Sequence, residues 1–239
     1  MEQNEVLKAL QRDHAAELKL AAERLKGTAR HTEIIPSKVL SDMTGHEILL
    51  KPENLQVTGS FKIRGAYNKI ASLSDEQLAR GIVTASAGNH AQGVAYAARE
   101  RGAKATICMP QITPPLKVDA TKAYGADVVL YGEVFDESAA RAQELSDTEG
   151  MIYVPPFDDY EVLCGQGTIG LEILEDVPNV TDVVEMCIRD RRDPDHGRTH
   201  QAREGSARIH RLPDERRKHQ GLLQAAVRLY PLQRHVCGR

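Results

Sequence analysis

The sequence has little of what marks several common classes of protein. It contains no tryptophan, and aromatic residues make up only 4% of its 239 residues. No apolar run approaches the roughly 20 residues that a membrane-spanning helix needs. The first residues, MEQNE, lack the basic and apolar regions of a secretory signal. We therefore expect a cytoplasmic protein without a membrane partner.

Cysteine is also scarce. The four cysteines show neither the CxxC spacing of a zinc or redox site nor the density of a disulfide-rich domain, and they are Cys108, Cys164, Cys187 and Cys237. We expect them to be packing residues, and we expect no metal site.

Lysine is nearly absent from the last part of the chain. Residues 185–239 contain twelve arginines and one lysine and carry a net charge of +6, whereas residues 1–184 carry −9. Residues 185–191 can be encoded by DNA that resembles a transposon end used in sequencing libraries. We therefore interpret residues 185–239 as a chimeric or out-of-frame tail. The alternative is a genuine arginine-rich extension that binds nucleic acid through phosphates, a partner that we do not expect.

Short apolar segments alternate with helical patterns along the middle of the chain. Strands are predicted at residues 82–85, 105–109, 127–131 and 151–154, with helices between them. This alternation favours right-handed βαβ units and a parallel sheet covered by helices on both faces. Ligands of such sheets bind at the carboxyl ends of the strands.

The flanking regions have weaker patterns. Before the alternating part, we predict a helix over 5–26, strands over 32–39 and 47–51 around a turn at 42–45, and a helix over 60–73. After it, we predict a helix around 168–175 and a strand that begins at 181–184.

Lys62 is a candidate nucleophile. It follows a Thr-Gly-Ser turn and Phe61 at the start of a predicted helix, in the stretch QVTGSFKIRGA. Unpaired backbone N–H groups and apolar contacts at such a position favour an uncharged amine. A second stretch, TASAGNHAQG, follows the strand at 82–85, and its N–H groups can receive a carboxylate at a helix start. Gly88 in this stretch permits close approach of the backbone.

These two stretches, extended to KPENLQVTGSFKIRGA for the first, resemble the pyridoxal-phosphate dependent threonine and serine dehydratases in sequence and in spacing. The resemblance implies an α/β protein of fold type II, the tryptophan synthase β-like fold, with open parallel sheets and helices on both faces. It covers residues 20–184, so the chain would be truncated before completion of the large domain. The implied domains are the amino-terminal part of a large domain (1–60), a small α/β domain (61–156), a return to the large domain (157–184) and the tail (185–239).

The resemblance also implies a cofactor, a substrate and site residues. The cofactor is pyridoxal 5′-phosphate, bound covalently by Lys62, which then serves as the base for the α-proton. Phe61 packs against the cofactor ring, and Asn89 donates to its 3′ oxygen. The implied reaction removes water and ammonia from L-threonine, with L-serine as an open alternative. The implied substrate-binding loop consists of Ser86, Ala87, Gly88, Asn89 and His90.

Two positions of this loop separate the dehydratases from related enzymes. Serine racemases carry a serine where this chain has Ala87, and that serine acts as the acid and base on the opposite face of the α-carbon. Alanine has no proton to give, so we predict elimination without efficient racemisation. Cysteine synthases carry a threonine where this chain has His90, which favours the dehydratases.

Two alternatives stay open. The glycine-rich loop that grips the cofactor phosphate in this family is not found after residue 183, so a binding fragment without catalysis is one alternative. We expect these 239 residues alone to be poorly stable and inactive, and the full-length form to be a homo-oligomer. A dinucleotide-binding oxidoreductase is the other alternative, because residues 165–170 fit GxGxxG and Glu185 follows at the required distance. Residues 157–164 do not form the buried strand that this motif requires.

Overall fold

The structure is a computed structural model that describes residues 13–186 and 207–211. Its helices are α1 (His14–Leu25), α2 (Lys38–Thr44), α3 (Lys62–Ala71), α4 (Asp75–Ala79), α5 (Asn89–Glu100), α6 (Pro115–Lys122), α7 (Phe135–Glu149) and α8 (Tyr160–Asp176). Its strands are β1 (Ile35–Pro36), β2 (Leu49–Leu50), β3 (Ile82–Ala85), β4 (Ala105–Met109), β5 (Asp127–Leu130), β6 (Ile152–Tyr153), β7 (Asp182–Met186) and β8 (Ala207–Arg211). A 3₁₀ turn spans Glu53–Leu55.

A four-stranded parallel sheet organises the middle of the chain. Its strand order is β5-β4-β3-β6, and every residue of β3 is buried. Because side chains alternate along a strand, Ile82 packs with α5 on one face of the sheet, whereas Val83 packs with α7 on the other. The predicted parallel α/β architecture, with helices on both faces, is confirmed.

The region before α3 differs from the prediction. Only Ile35–Pro36 of the segment 32–39 is a strand, and it pairs antiparallel with Leu49–Leu50. Ser37 ends the strand and begins α2, because its hydroxyl accepts a hydrogen bond from the backbone N–H of Leu40 at 3.4 Å. The predicted turn at 42–45 is the end of α2, where Gly45 has φ +71°. The part of the predicted first helix before residue 13 lies outside the described residues.

The last helix is longer than predicted. Asp159 caps α8, since its carboxylate accepts from the backbone N–H of Val162 at 3.0 Å, and the helix then runs from Tyr160 to Asp176. The strand predicted at 181–184 is present as β7, which pairs antiparallel with β8. The sequence did not predict β8, because pairing with β7 specifies this strand more than its own five residues do. Most of the predicted tail, with Cys187 and Cys237, lies outside the described residues.

A buried ion network joins α3 to the segments on either side of it. The Arg64 guanidinium is 1% exposed and donates to Glu53 at 2.8 Å and to Glu172 at 2.6 Å. Burial alone would lower the pKa of Arg64, but the hydrogen bonds to these two carboxylates outweigh it and raise the pKa. Lys51 also contacts Glu172, at 2.7 Å. The helix that carries Lys62 is thereby tied to the 3₁₀ turn and to α8.

Membrane-spanning helices and metal sites can be assessed only for the described residues. None of the helices in this part of the chain combines the length and apolar character needed to cross a bilayer. The same residues contain no group of three or more side chains suited to hold a metal ion. Cys108 and Cys164 are buried, and burial raises the pKa of the Cys108 thiol to about 11.

Candidate active site

Lys62 is the first residue of α3. Phe61 precedes it as the N-cap residue, and Gly59 has φ +72°, which a tight turn before the helix requires. The Lys62 amine donates a hydrogen bond to the Pro156 carbonyl at 2.9 Å. It also lies 5.4 Å from the centre of the Phe61 ring, within the range of a cation–π contact. The turn and the helix start thus present a partly buried amine at the carboxyl end of β6.

The loop from Ser86 to Gly88 connects β3 to α5. The Ser86 hydroxyl accepts from the backbone N–H of Gly88 at 3.2 Å, which curves the loop over the end of the strand. The N–H groups in the first turn of α5 point towards this loop. No side-chain hydrogen bond caps the helix there. Ser86, Ala87 and Gly88 are half-buried, and Asn89 is exposed.

Gly93 of α5 packs closely against the backbone of Lys62. A β-carbon at Gly93 of α5 would lie 3.2 Å from the carbonyl carbon and oxygen of Lys62, which is closer than most real contacts. The two helices therefore cross where Lys62 begins its helix. The loop after β3 and the amine of Lys62, which contacts Pro156 after β6, both lie at the edge of the sheet where its parallel strands end.

The imidazole of His90 lies in the interior and not in the loop. Its side chain is 3% exposed, and Nε2 lies 3.1 Å from the Val154 carbonyl oxygen. Burial, with Lys62 as a second cause, lowers the pKa of His90 to about 3. The imidazole thus points into the protein, and only the backbone of His90 is left for the loop. The predicted roles of Ser86, Ala87, Gly88, Asn89 and His90 stay predictions.

Sequence reasoning missed two hydroxyl groups beside Lys62. Thr58 Oγ1 and Ser60 Oγ are buried and have no hydrogen-bond partner among the described residues. A buried polar atom without a partner costs free energy, so such atoms commonly mark a site for a bound group. The signal in the sequence was the polar turn immediately before the lysine.

The GxGxxG segment has a packing role. Residues 165–170 lie inside α8, whereas a dinucleotide motif lies in the turn between a strand and a helix. A β-carbon at Gly165 would lie 2.7 Å from the Gly65 Cα atom and 2.8 Å from the Arg64 carbonyl carbon. Gly165 is therefore needed for the close crossing of α3 and α8. The dinucleotide-binding alternative is wrong.

Comparison with known families identifies the chain's relatives. A model described as "Pyridoxal-phosphate dependent enzyme" matches residues 25–189, which is more than half of the chain. The chain belongs to this family. The matched residues include Lys62, the loop after β3 and α8, so the whole candidate site lies within the part of the chain that matches the family.

Individual members of the family are similar over the same region. The L-threonine ammonia-lyase of Thermotoga maritima is 54% identical over 168 residues, which are 70% of this chain and 42% of that protein. The processed threonine deaminase isoform 2 of Solanum lycopersicum has a TM-score of 0.67 at 41% identity, over 76% of this chain and 48% of that one. The serine racemase of Dictyostelium discoideum has a TM-score of 0.66 at 35% identity, over 70% and 54%. These likenesses confirm the predicted fold class, and the chain spans about half the length of these relatives.

The residues at the site fit the cofactor of this family. Pyridoxal phosphate carries an aldehyde, which an amine can bind, and a polar ring with an anionic phosphate. The amine is that of Lys62, the two partnerless hydroxyls of Thr58 and Ser60 can hydrogen-bond polar atoms, and α3 and α5 begin at this edge. The described residues therefore fit a pyridoxal phosphate site, with Lys62 as its candidate lysine.

Proposed function

We propose that this chain carries the catalytic lysine of an ammonia-lyase that removes water and ammonia from L-threonine and yields 2-oxobutyrate. The observation that supports this most is the Lys62 amine, held at the carboxyl edge of the sheet on a helix that packs against α5, the helix after β3. The substrate comes from the relatives, of which one at 54% identity is an L-threonine ammonia-lyase. L-Serine is a second substrate to be tested.

Each residue would have a simple task. When bound, the cofactor accepts electrons from the substrate's α-carbon, which makes the α-proton removable. Lys62 would hold the cofactor and, once exchanged for substrate, would take that proton on Nζ. In the loop from Ser86 to His90, the backbone N–H groups of Asn89 and His90 at the start of α5 would hold the substrate carboxylate. Phe61 and Asn89 would contact the cofactor, as the resemblance implies.

The decisive experiment needs a chain of full length. Residues 1–184 would replace the matching part of the Thermotoga maritima enzyme, and 2-oxobutyrate formation from L-threonine would be measured. We expect turnover by this fusion and its loss in Lys62→Ala. Lys69→Ala changes a lysine of the same helix that pairs with Asp159 at 2.6 Å, and it should retain turnover.

The alternatives have distinct outcomes in this assay. A fusion that folds and shows cofactor absorbance, yet leaves L-threonine unchanged, would overturn the proposal. A binding fragment without catalysis would show neither cofactor absorbance nor any effect of Lys62→Ala. The 239-residue chain, measured beside the fusion, is expected to form no 2-oxobutyrate, since the sequence contains no recognisable phosphate-binding loop.

Ala87 carries a prediction about specificity. The loop offers a methyl group at this position, so nothing there can return a proton to the opposite face of the α-carbon. We expect the fusion to form pyruvate from L-serine without appreciable D-serine, which chiral chromatography would show. A cytoplasmic location and a homo-oligomeric full-length form stay predictions from the sequence.

A further inference from the structure

The carbonyl group of Val154 joins three parts of the candidate site. It accepts from the Thr84 hydroxyl at 2.7 Å and lies 3.1 Å from His90 Nε2. Because a carbonyl oxygen only accepts, Nε2 carries the hydrogen and donates it. Side chains from β3 and α5 thus hold one backbone atom that lies just after β6.

Two prolines make this atom important. The backbone N–H of Val154 donates to the Val83 carbonyl at 2.9 Å, which is the last rung of the pairing between β3 and β6. Pro155 and Pro156 have no N–H group, so neither can add a further rung. The position of the Pro156 carbonyl, which receives the Lys62 amine at 2.9 Å, therefore depends on how firmly Val154 is held.

We propose that His90 is a positioning residue which, as a neutral imidazole, holds the Val154–Pro156 segment and thereby the amine of Lys62. This role goes beyond the proposed function and rests on it only in taking Lys62 as the nucleophile. His90 acts from the interior through a carbonyl group, and its imidazole does not touch the substrate.

The surroundings of His90 keep the imidazole neutral. Nδ1, the atom that would gain a proton, is buried and has no hydrogen-bond partner in the described part of the chain. The charged group that acts on His90 is the ammonium group of Lys62, which repels a second cation. A neutral ring can therefore donate from Nε2 at neutral pH without placing a second positive charge beside the lysine.

The experiment measures how readily the Lys62 amine reacts in the 239-residue chain, with neither cofactor nor substrate. The chain is labelled with acetic anhydride near neutral pH, and mass spectrometry gives the rate at Lys62 relative to exposed Lys19. An ammonium group has no lone pair and does not attack the reagent, and the hydrogen bond to the Pro156 carbonyl stabilises that form. Loosening the Val154–Pro156 segment weakens this hydrogen bond and should therefore raise the relative rate at Lys62 by about fivefold, the effect of one hydrogen bond.

Four variants separate positioning from general packing. His90→Leu and Thr84→Val each remove a donor to Val154 and should raise the rate. His90→Gln keeps a donor and should behave as the parent chain does. Thr121→Val removes another buried hydroxyl, which donates to the Lys117 carbonyl at 3.0 Å away from the site, and should leave Lys62 unchanged.

The outcomes decide the proposal even if one variant does not fold. Thr84→Val preserves shape and tests whether the hold on the Val154 carbonyl controls the Lys62 amine, so it remains informative if His90→Leu is unfolded. An unchanged rate in folded His90→Leu or in Thr84→Val, or an equal rise in Thr121→Val, would overturn the proposal. So would an NMR titration in which the His90 ring gains its proton near pH 6.5. A failed threonine assay leaves this result untouched, because the labelling requires no turnover.

Discussion

Lys62 and His90 lie close together, yet only one of them could be placed from the sequence. Lys62 was found because its turn and helix start are local features, contained in a few adjacent residues. The direction of the His90 imidazole depends on a carbonyl group 64 positions further along the chain. Local patterns contain no information about such a partner, so the sequence could not show where this side chain points, and the role of His90 in the substrate loop stays a prediction.

The neutral state of His90 predicts a pH dependence of stability. Its pKa falls from 6.5 in the unfolded chain to about 3 in the folded one, so the unfolded state binds more protons between these values. The contribution of His90 to the free energy of unfolding is therefore complete above about pH 6.5 and is lost as the pH falls towards 3. We expect the free energy of unfolding to lose about 2 kcal/mol from this group by pH 5.

Urea unfolding at a series of pH values would measure this loss. His90→Gln cannot titrate, so the difference between the two chains separates His90 from the carboxylates that protonate in the same range. Curves of equal slope for parent and variant would contradict the prediction.

Helix α3 is held by close contacts that the sequence could not reveal. Its first residues were predicted, but its two neighbours, α5 and α8, contact it through Gly93 and Gly165. The same glycines in a sequence indicate turns or a phosphate-binding loop as readily as a helix crossing. Only the path of the chain shows that Gly165 lies against the backbone of Arg64 and Gly65.

Two glycines of α8 should respond to alanine in opposite directions. Gly165→Ala would force a methyl group to 2.7 Å from Gly65 Cα and should lower the free energy of unfolding by about 1–3 kcal/mol. Gly170→Ala meets nothing within 4 Å and should raise it by about 0.5–1 kcal/mol, because alanine favours a helix interior. Chemical denaturation of both variants would check the signs, and equal effects would show that the crossing is not close.

The ion network around Arg64 predicts a large loss on substitution. Arg64→Met would leave Glu53 and Glu172 largely buried without their shared cation, and we expect a loss of about 3–5 kcal/mol in unfolding free energy. Lys38→Met removes an exposed ion pair with Asp42 and should cost less than about 1 kcal/mol. Denaturation midpoints that differ little between these two variants would argue against a stabilising network.

For the whole molecule, the sequence predicts the parallel sheet better than its surroundings. Strands β3 and β4 are short, mostly apolar segments that follow Gly81 and Gly102, and both were placed at their observed ends. The segment 32–39 was misjudged because Ser37 begins a helix within an apolar stretch. The domain boundaries at residues 60, 156 and 184 stay predictions. The ion network of Arg64 crosses the first two of them.

The origin of residues 185–239 is open to direct measurement. We predict that the source DNA, amplified across codons 168–212 without a transposon-based library, continues after residue 184 in a different frame or sequence. A glycine-rich segment after β7 would then supply the expected phosphate-binding loop. If the same 239 codons are read again, the chimeric interpretation is wrong, and the arginine-rich extension should be tested for nucleic-acid binding that weakens with salt.

The place of β6 in the sheet has a consequence for the order of folding. Strand β3 pairs with β4 across a short crossover, but it meets the end of β6 only across 70 positions, from Thr84 to Val154. Contacts so distant along a chain form late, because the long loop between them must close first. During synthesis, Lys62 therefore emerges long before the carbonyl of Pro156 that receives its amine. The candidate lysine acquires its resting position only when the four-stranded sheet closes at β6.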